Sequence, residues 1–158
     1  MYTLAPKAGS LNPYDCSQGV YRVHMDANES FLLPTEADRL KMAQAAADVA
    51  LNRYPDPLAR ELCTAFGALY CVNPDLVTAG NGSDELISVI LSTFLQKGEK
   101  VLTLSPDFSM YRFYTAITEN PCIILDKGAD LRIDPDRVIR AINEENIRLL
   151  IFSNPCNP

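Results

Sequence analysis

Histidine is almost missing from this chain: His24 is its single instance in 158 residues. That excludes histidine-rich metal sites and leaves any Ser–His or Cys–His nucleophile dependent on one residue. His24 lies in Val20-Tyr21-Arg22-Val23-His24-Met25, whose weak alternation predicts a short strand, so it reads as a strand or surface residue. No Cys-x-x-Cys pair occurs, and the five cysteines, Cys16, Cys63, Cys71, Cys122 and Cys156, are odd in number. Such a set fits reduced thiols better than a disulfide framework or a zinc site. No apolar run approaches membrane-spanning length, and the first residues lack the apolar core of a signal peptide. A cytoplasmic protein is expected. Basic charge is scarce too: 14 Lys and Arg against 20 Asp and Glu give a formal net charge of −6. That balance argues against a broad nucleic-acid or anionic-membrane surface. There is no internal repeat and no low-complexity segment.

What is present is length for one sizeable core and a regular alternation of apolar segments. Pro6, Gly9, Pro13 and Gly19 predict an extended arm at the beginning. Thr35 and Asp38 have capping-box spacing ahead of a helix carried by Leu40, Ala43, Ala47 and Ala50 to about Leu51. Pro55 and Pro57 break that helix, and Pro57 suits the start of a second one through Leu58, Leu62, Ala65, Phe66 and Leu69. Strands are expected near 76–79, 100–104, 122–126 and 147–152, the last buried on both faces. Helices are expected over Ser83 to about Gln96, over Phe108 to about Thr118, and from Asp134-Pro135 through Ile142. Alternation of this kind implies a mostly parallel sheet with right-handed crossovers.

Ligands of such sheets gather at the carboxyl ends of the strands. Three stretches converge there: 80–85, 105–111 and 153–158. In the first, Val77-Thr78-Ala79-Gly80-Asn81-Gly82-Ser83-Asp84-Glu85 runs from an apolar segment through a glycine turn to a helix start. A glycine turn opening onto free helix N–H groups makes a phosphate cradle, although glycine also serves turn geometry alone. The turn lacks the third glycine of the dinucleotide fingerprint and the Gly-Lys-Ser/Thr ending of a P-loop. A phosphate held here belongs to neither class.

Five stretches, in order, carry a resemblance. They are Asp26-Ala27-Asn28-Glu29, Arg53-Tyr54-Pro55-Asp56, Gly80-Asn81-Gly82-Ser83-Asp84-Glu85, Ser105-Pro106-Asp107-Phe108-Ser109-Met110-Tyr111 and Ser153-Asn154-Pro155-Cys156-Asn157-Pro158. With them the chain closely resembles the fold-type I pyridoxal 5'-phosphate (PLP)-dependent aminotransferases, and among them the histidinol-phosphate aminotransferase-like group. The resemblance implies an α/β fold: a truncated three-layer α/β/α large domain of the PLP-dependent transferase type. Residues 1–50 would be an N-terminal arm and small-domain or interface segment, and 51–158 the first, incomplete part of the PLP-binding domain.

It also implies roles. Gly82, Ser83, Asp84 and Glu85 would hold the cofactor phosphate, and Phe108 would lie on the pyridine ring, a core aromatic being its rival reading. Asn157 would donate a hydrogen bond to the phenolic oxygen, and Tyr54 would reach across a homodimer interface to the partner's phosphate. Tyr14, Asn28 and Glu29 match substrate-side positions, although Ser30-Phe31 departs from the usual continuation. The implied activity moves an amino group between histidinol phosphate and a keto acid such as 2-oxoglutarate, in histidine biosynthesis. The family's Schiff-base lysine motif includes none of Lys7, Lys41, Lys97, Lys100 and Lys127. No catalytic residue is therefore assigned, and the chain alone is expected to be inactive. Two alternatives stay open: a PLP-dependent threonine-phosphate decarboxylase, and a non-catalytic binding or dimerisation fragment.

Overall fold

The computed structural model describes residues 3–9, 11, 19–23, 25 and 28–156. In chain order its elements are α1 (Pro6–Gly9), α2 (Glu36–Ala47), α3 (Arg60–Tyr70), a 3-10 turn (Pro74–Leu76), α4 (Gly82–Phe94), β1 (Lys100–Ser105), α5 (Met110–Ile117), β2 (Cys122–Asp126), α6 (Pro135–Glu145) and β3 (Ile147–Leu150). They fall into two compact units, Cys16–Ala79, and Met1–Asp15 with Gly80–Pro158.

In the Cys16–Ala79 unit, α2 begins where the Thr35 spacing places it. The Asp38 N–H donates to Thr35 Oγ1 at 3.2 Å, and the Thr35 N–H donates back to Asp38 Oδ2 at 3.3 Å. The second helix starts later than Pro57. Asp56 accepts the Leu58 and Arg60 N–H groups at 3.2 and 2.9 Å, and Ala59 turns left-handed at φ 44°, so helical geometry begins at Arg60. Gly67 permits the close return after α3, because a Cβ there would stand 2.6 Å from the Val72 carbonyl oxygen.

The strand expected at 76–79 does not form. Val77 is extended (φ −107°, ψ 128°), but its N–H is spent on the Pro74 carbonyl of the 3-10 turn, and its carbonyl accepts the Cys63 thiol at 3.5 Å. No strand forms among the described residues of 20–25 either. There the alternation is weak, and an isolated segment gains nothing from extension without a sheet beside it.

The other unit is built on β1. Its residues alternate faces, and both faces are covered, so Val101 to Leu104 are all buried. Val101 packs with Ile87 and Leu91 of α4 and with Tyr111 of α5. Leu102 and Leu104 pack with Val138 of α6. Helices on either side of a sheet give three layers, α/β/α. The sheet is parallel in the order β2-β1-β3, with Leu102 opposite Ile123 on one side and Leu150 on the other. A bulge at Lys100/Val101 leaves Arg148 unpaired and exposed. The segment at 147–152 differs from expectation: only Ile147–Leu150 is strand, it is half-buried, and Phe152 is 36% exposed. It is an outer strand of the described sheet, whereas β1 holds the centre.

The amino ends of the strands are closed by structural polar contacts. The buried Asn120 amide donates to the carbonyls of Gln96 (2.7 Å) and Glu99 (2.9 Å). Lys97 pairs with Glu119, and Lys100 with Glu145. The carboxyl ends carry different chemistry.

Candidate functional site

Helix α4 opens without help from its capping side chain: Asn81, the N-cap, makes no side-chain cap hydrogen bond. Four N–H groups are orphaned at such a start. Asn81's is taken by the Glu85 carboxylate, which also accepts the Asn81 amide at 3.1 Å, and Gly82's goes to the Gly80 carbonyl at 3.0 Å. The N–H groups of Ser83 and Asp84 remain as the pair that helix geometry leaves over. Gly82 stands at φ +80° with open space around it, and a Cβ on Gly80 would come within 2.8 Å of Leu86. The positive end of the helix dipole adds to the two donors, so this turn suits an anion. Asp84 Oδ1 is buried with no hydrogen-bond partner among the described residues.

The second half of the site stands at the carboxyl ends of all three strands. Asp107, after β1, has its side chain 1% exposed, and Lys127, directly after β2, is 4% exposed, with Nζ 3.5 Å from Asp107 Oδ2. Ser153, after β3, donates its N–H to the same oxygen at 3.1 Å. Asp107 Oδ1 accepts the Phe108 N–H at 2.7 Å. The Tyr111 hydroxyl lies 3.0 Å from Ser153 Oγ, and the Phe108 ring meets the Tyr111 ring edge-on at 5.6 Å between centroids. Burial pushes the Asp107 carboxyl up. The hydrogen bonds from the Ser153 hydroxyl and the Phe108 and Ser153 N–H groups, with the Lys127 ammonium, outweigh it and hold the group below the usual aspartate value of 3.8.

Two of the three convergent stretches are thus joined directly, 105–111 and 153–156. The third is tied in through the core, because Ile87, one turn into α4, shares a cluster with Tyr111. Phe108 keeps 40% of its surface exposed beside this network. That is more than a core aromatic needs and is compatible with covering a flat ligand. In the Cys16–Ala79 unit, Tyr54 is fully exposed, and Asn28 (φ 53°) and Glu29 are exposed. Tyr14 and Asn157 lie outside the described residues. Sequence reasoning passed over the Asp107–Lys127 pair. The available signal was position: each follows a strand directly or nearly so, at the end where sites of parallel sheets form.

The fold is that of the PLP-dependent aminotransferases. The crystal structure of histidinol-phosphate aminotransferase from Sinorhizobium meliloti, in complex with pyridoxal-5'-phosphate, superimposes on the whole chain with a TM-score of 0.79, at 24% identity, over 44% of its own length. No family model matches the chain. Its sequence relatives are more specific. Histidinol-phosphate aminotransferase of Clostridium novyi is 39% identical over 148 residues, 94% of this chain and 42% of that protein. The Clostridium kluyveri enzyme of the same name is 38% identical over 92% of this chain and 42% of its own length. The chain is homologous to the histidinol-phosphate aminotransferases along nearly all its residues, and it spans about two-fifths of the length of these curated relatives.

Proposed function

We propose that the chain is part of a PLP-dependent aminotransferase that moves an amino group between histidinol phosphate, or a related amino acid, and a keto acid such as 2-oxoglutarate. The observation that carries the reading is the match with relatives named for that reaction along 94% of the chain. The α4 turn fits the cofactor's phosphate: two unpaired helix N–H groups, a glycine opening and the Ser83 hydroxyl supply donors without a competing cap. PLP, when bound, supplies the electron sink for bond breaking at the substrate amine.

The chain's own residues bind and orient. The Ser83 and Asp84 N–H groups hold the phosphate, and Gly82 keeps the turn open. The Glu85 carboxylate serves the turn itself by holding Asn81. Phe108 covers one face of the ring and excludes water from it. Asn157 donates to the phenolic oxygen. Tyr54, fully exposed, serves a second copy's phosphate in a cytoplasmic homodimer. Tyr14, Asn28 and Glu29 belong to the substrate side. Residues 1–50 form the arm and interface segment, and 51–158 the beginning of the cofactor domain. The covalent lysine would come from a part of the protein that this chain does not contain.

The test uses the protein in the full length its gene encodes. Histidinol phosphate with 2-oxoglutarate is expected to yield glutamate, and O-phosphothreonine to yield no carbon dioxide. Carbon dioxide from the second and no glutamate from the first would replace this reading with the decarboxylase.

A further inference from the structure

One carboxylate gathers the carboxyl ends of every described strand. Asp107 belongs to the loop after β1, accepts Lys127 from the end of β2, and accepts the Ser153 N–H from the loop after β3. Its other oxygen takes the Phe108 N–H, and Phe108 leans on Tyr111, whose hydroxyl reaches Ser153 again. The circle closes on itself, so neither loop can shift without breaking a hydrogen bond to a buried charge, a contact stronger than one between neutral groups.

We propose that Asp107 is the positioning residue of this site, holding Phe108 and the 153–156 loop in one fixed arrangement, while Lys127 serves only to balance its buried charge. The proposal rests on the functional reading above for what those loops hold, but not for the tether itself. The two residues separate by what each removal leaves behind. Without Lys127, Asp107 still accepts the Phe108 and Ser153 N–H groups, one on each oxygen, and a carboxylate held by two backbone donors stays ionised at neutral pH. Without Asp107, the Ser153 N–H has lost its acceptor whatever stands at 127.

The experiment compares Lys127→Met, Asp107→Leu and the Asp107→Leu/Lys127→Met double variant, whose leucine leaves no acceptor at 107, in the full-length protein, by amide exchange, melting temperature and PLP affinity. The tether predicts Ser153 amide exchange about tenfold faster in both Asp107 variants and unchanged in Lys127→Met, a loss matching one hydrogen bond to a charged group. PLP affinity is expected to fall by about the same factor in the Asp107 variants, even where the double variant regains thermal stability by removing both charges. Exchange and affinity that follow melting temperature across the three variants would overturn the positioning role, as would unchanged Ser153 exchange in Asp107→Leu. If the unsubstituted protein binds no PLP, the functional reading fails, and the exchange data still decide the tether.

Discussion

Cys71 and Cys122 show how surroundings decide what one residue type does. Cys71 ends α3 in a left-handed conformation and is exposed, whereas Cys63 is buried. Burial pushes the Cys122 thiol up, against a hydrogen bond from Thr115 and the nearby Arg112 charge that pull it down. Alkylation of the folded protein at pH 7, read by peptide mass spectrometry, should label Cys71 first and Cys63 and Cys122 only after denaturant is added. Asp107 gives a second prediction. Its folded value lies below 3.8, so its contribution is present above the unfolded value and is lost as pH falls through the lower, folded one. Acid titration of Asp107→Asn against the unsubstituted protein should therefore show a stability gap that is constant near neutrality and closes only below about 3.8. At this scale the glycine turn was readable in the chain, because a local pattern carries it. The partnership of Asp107 with Lys127 was not, since it depends on where two strands end in the folded sheet.

Helix α2 is an element held by its own termini: it buries none of its residues, and its first turn is closed by the Thr35–Asp38 box. Thr35→Ala should weaken it by about 1 kcal/mol, seen as roughly fivefold faster amide exchange confined to α2. β1 is the opposite case, with Leu102 fully buried against α6. Leu102→Ala should cost about 2–5 kcal/mol in global unfolding by urea. Periodicity found most helices and the three strands, because each buries a face at its own repeat. It misread 76–79 for a physical reason: an apolar run is as content under a 3-10 turn as in a ladder, and the Cys63 thiol and Pro74 carbonyl took the groups a neighbouring strand would need. It also began α3 at Pro57, where the Asp56 carboxylate instead ties up the next N–H groups until Arg60.

Across the whole molecule, the parallel sheet brings chemistry to its carboxyl edge and leaves structural pairs at the other. The helix start at Gly82–Asp84, the exposed Phe108 and the Asp107-centred loops all belong to the Gly80–Pro158 part of the chain. Among the described residues no helix is long and apolar enough to cross a membrane. The similarity to histidinol-phosphate aminotransferases extends over 94% of the chain, and the proposed role of this edge is to hold the phosphate and one face of PLP. The most direct measurement is a PLP titration of the full-length protein followed by circular dichroism in the cofactor band, with and without inorganic phosphate, beside Gly82→Val. A branched side chain cannot adopt φ +80° without strain, so the turn should lose its donors' alignment. The account predicts a saturable signal, competition by phosphate, and affinity about tenfold or more weaker in Gly82→Val. Binding indifferent to both phosphate and Gly82→Val, as from condensation with surface lysines, or no saturable binding at all, would contradict it.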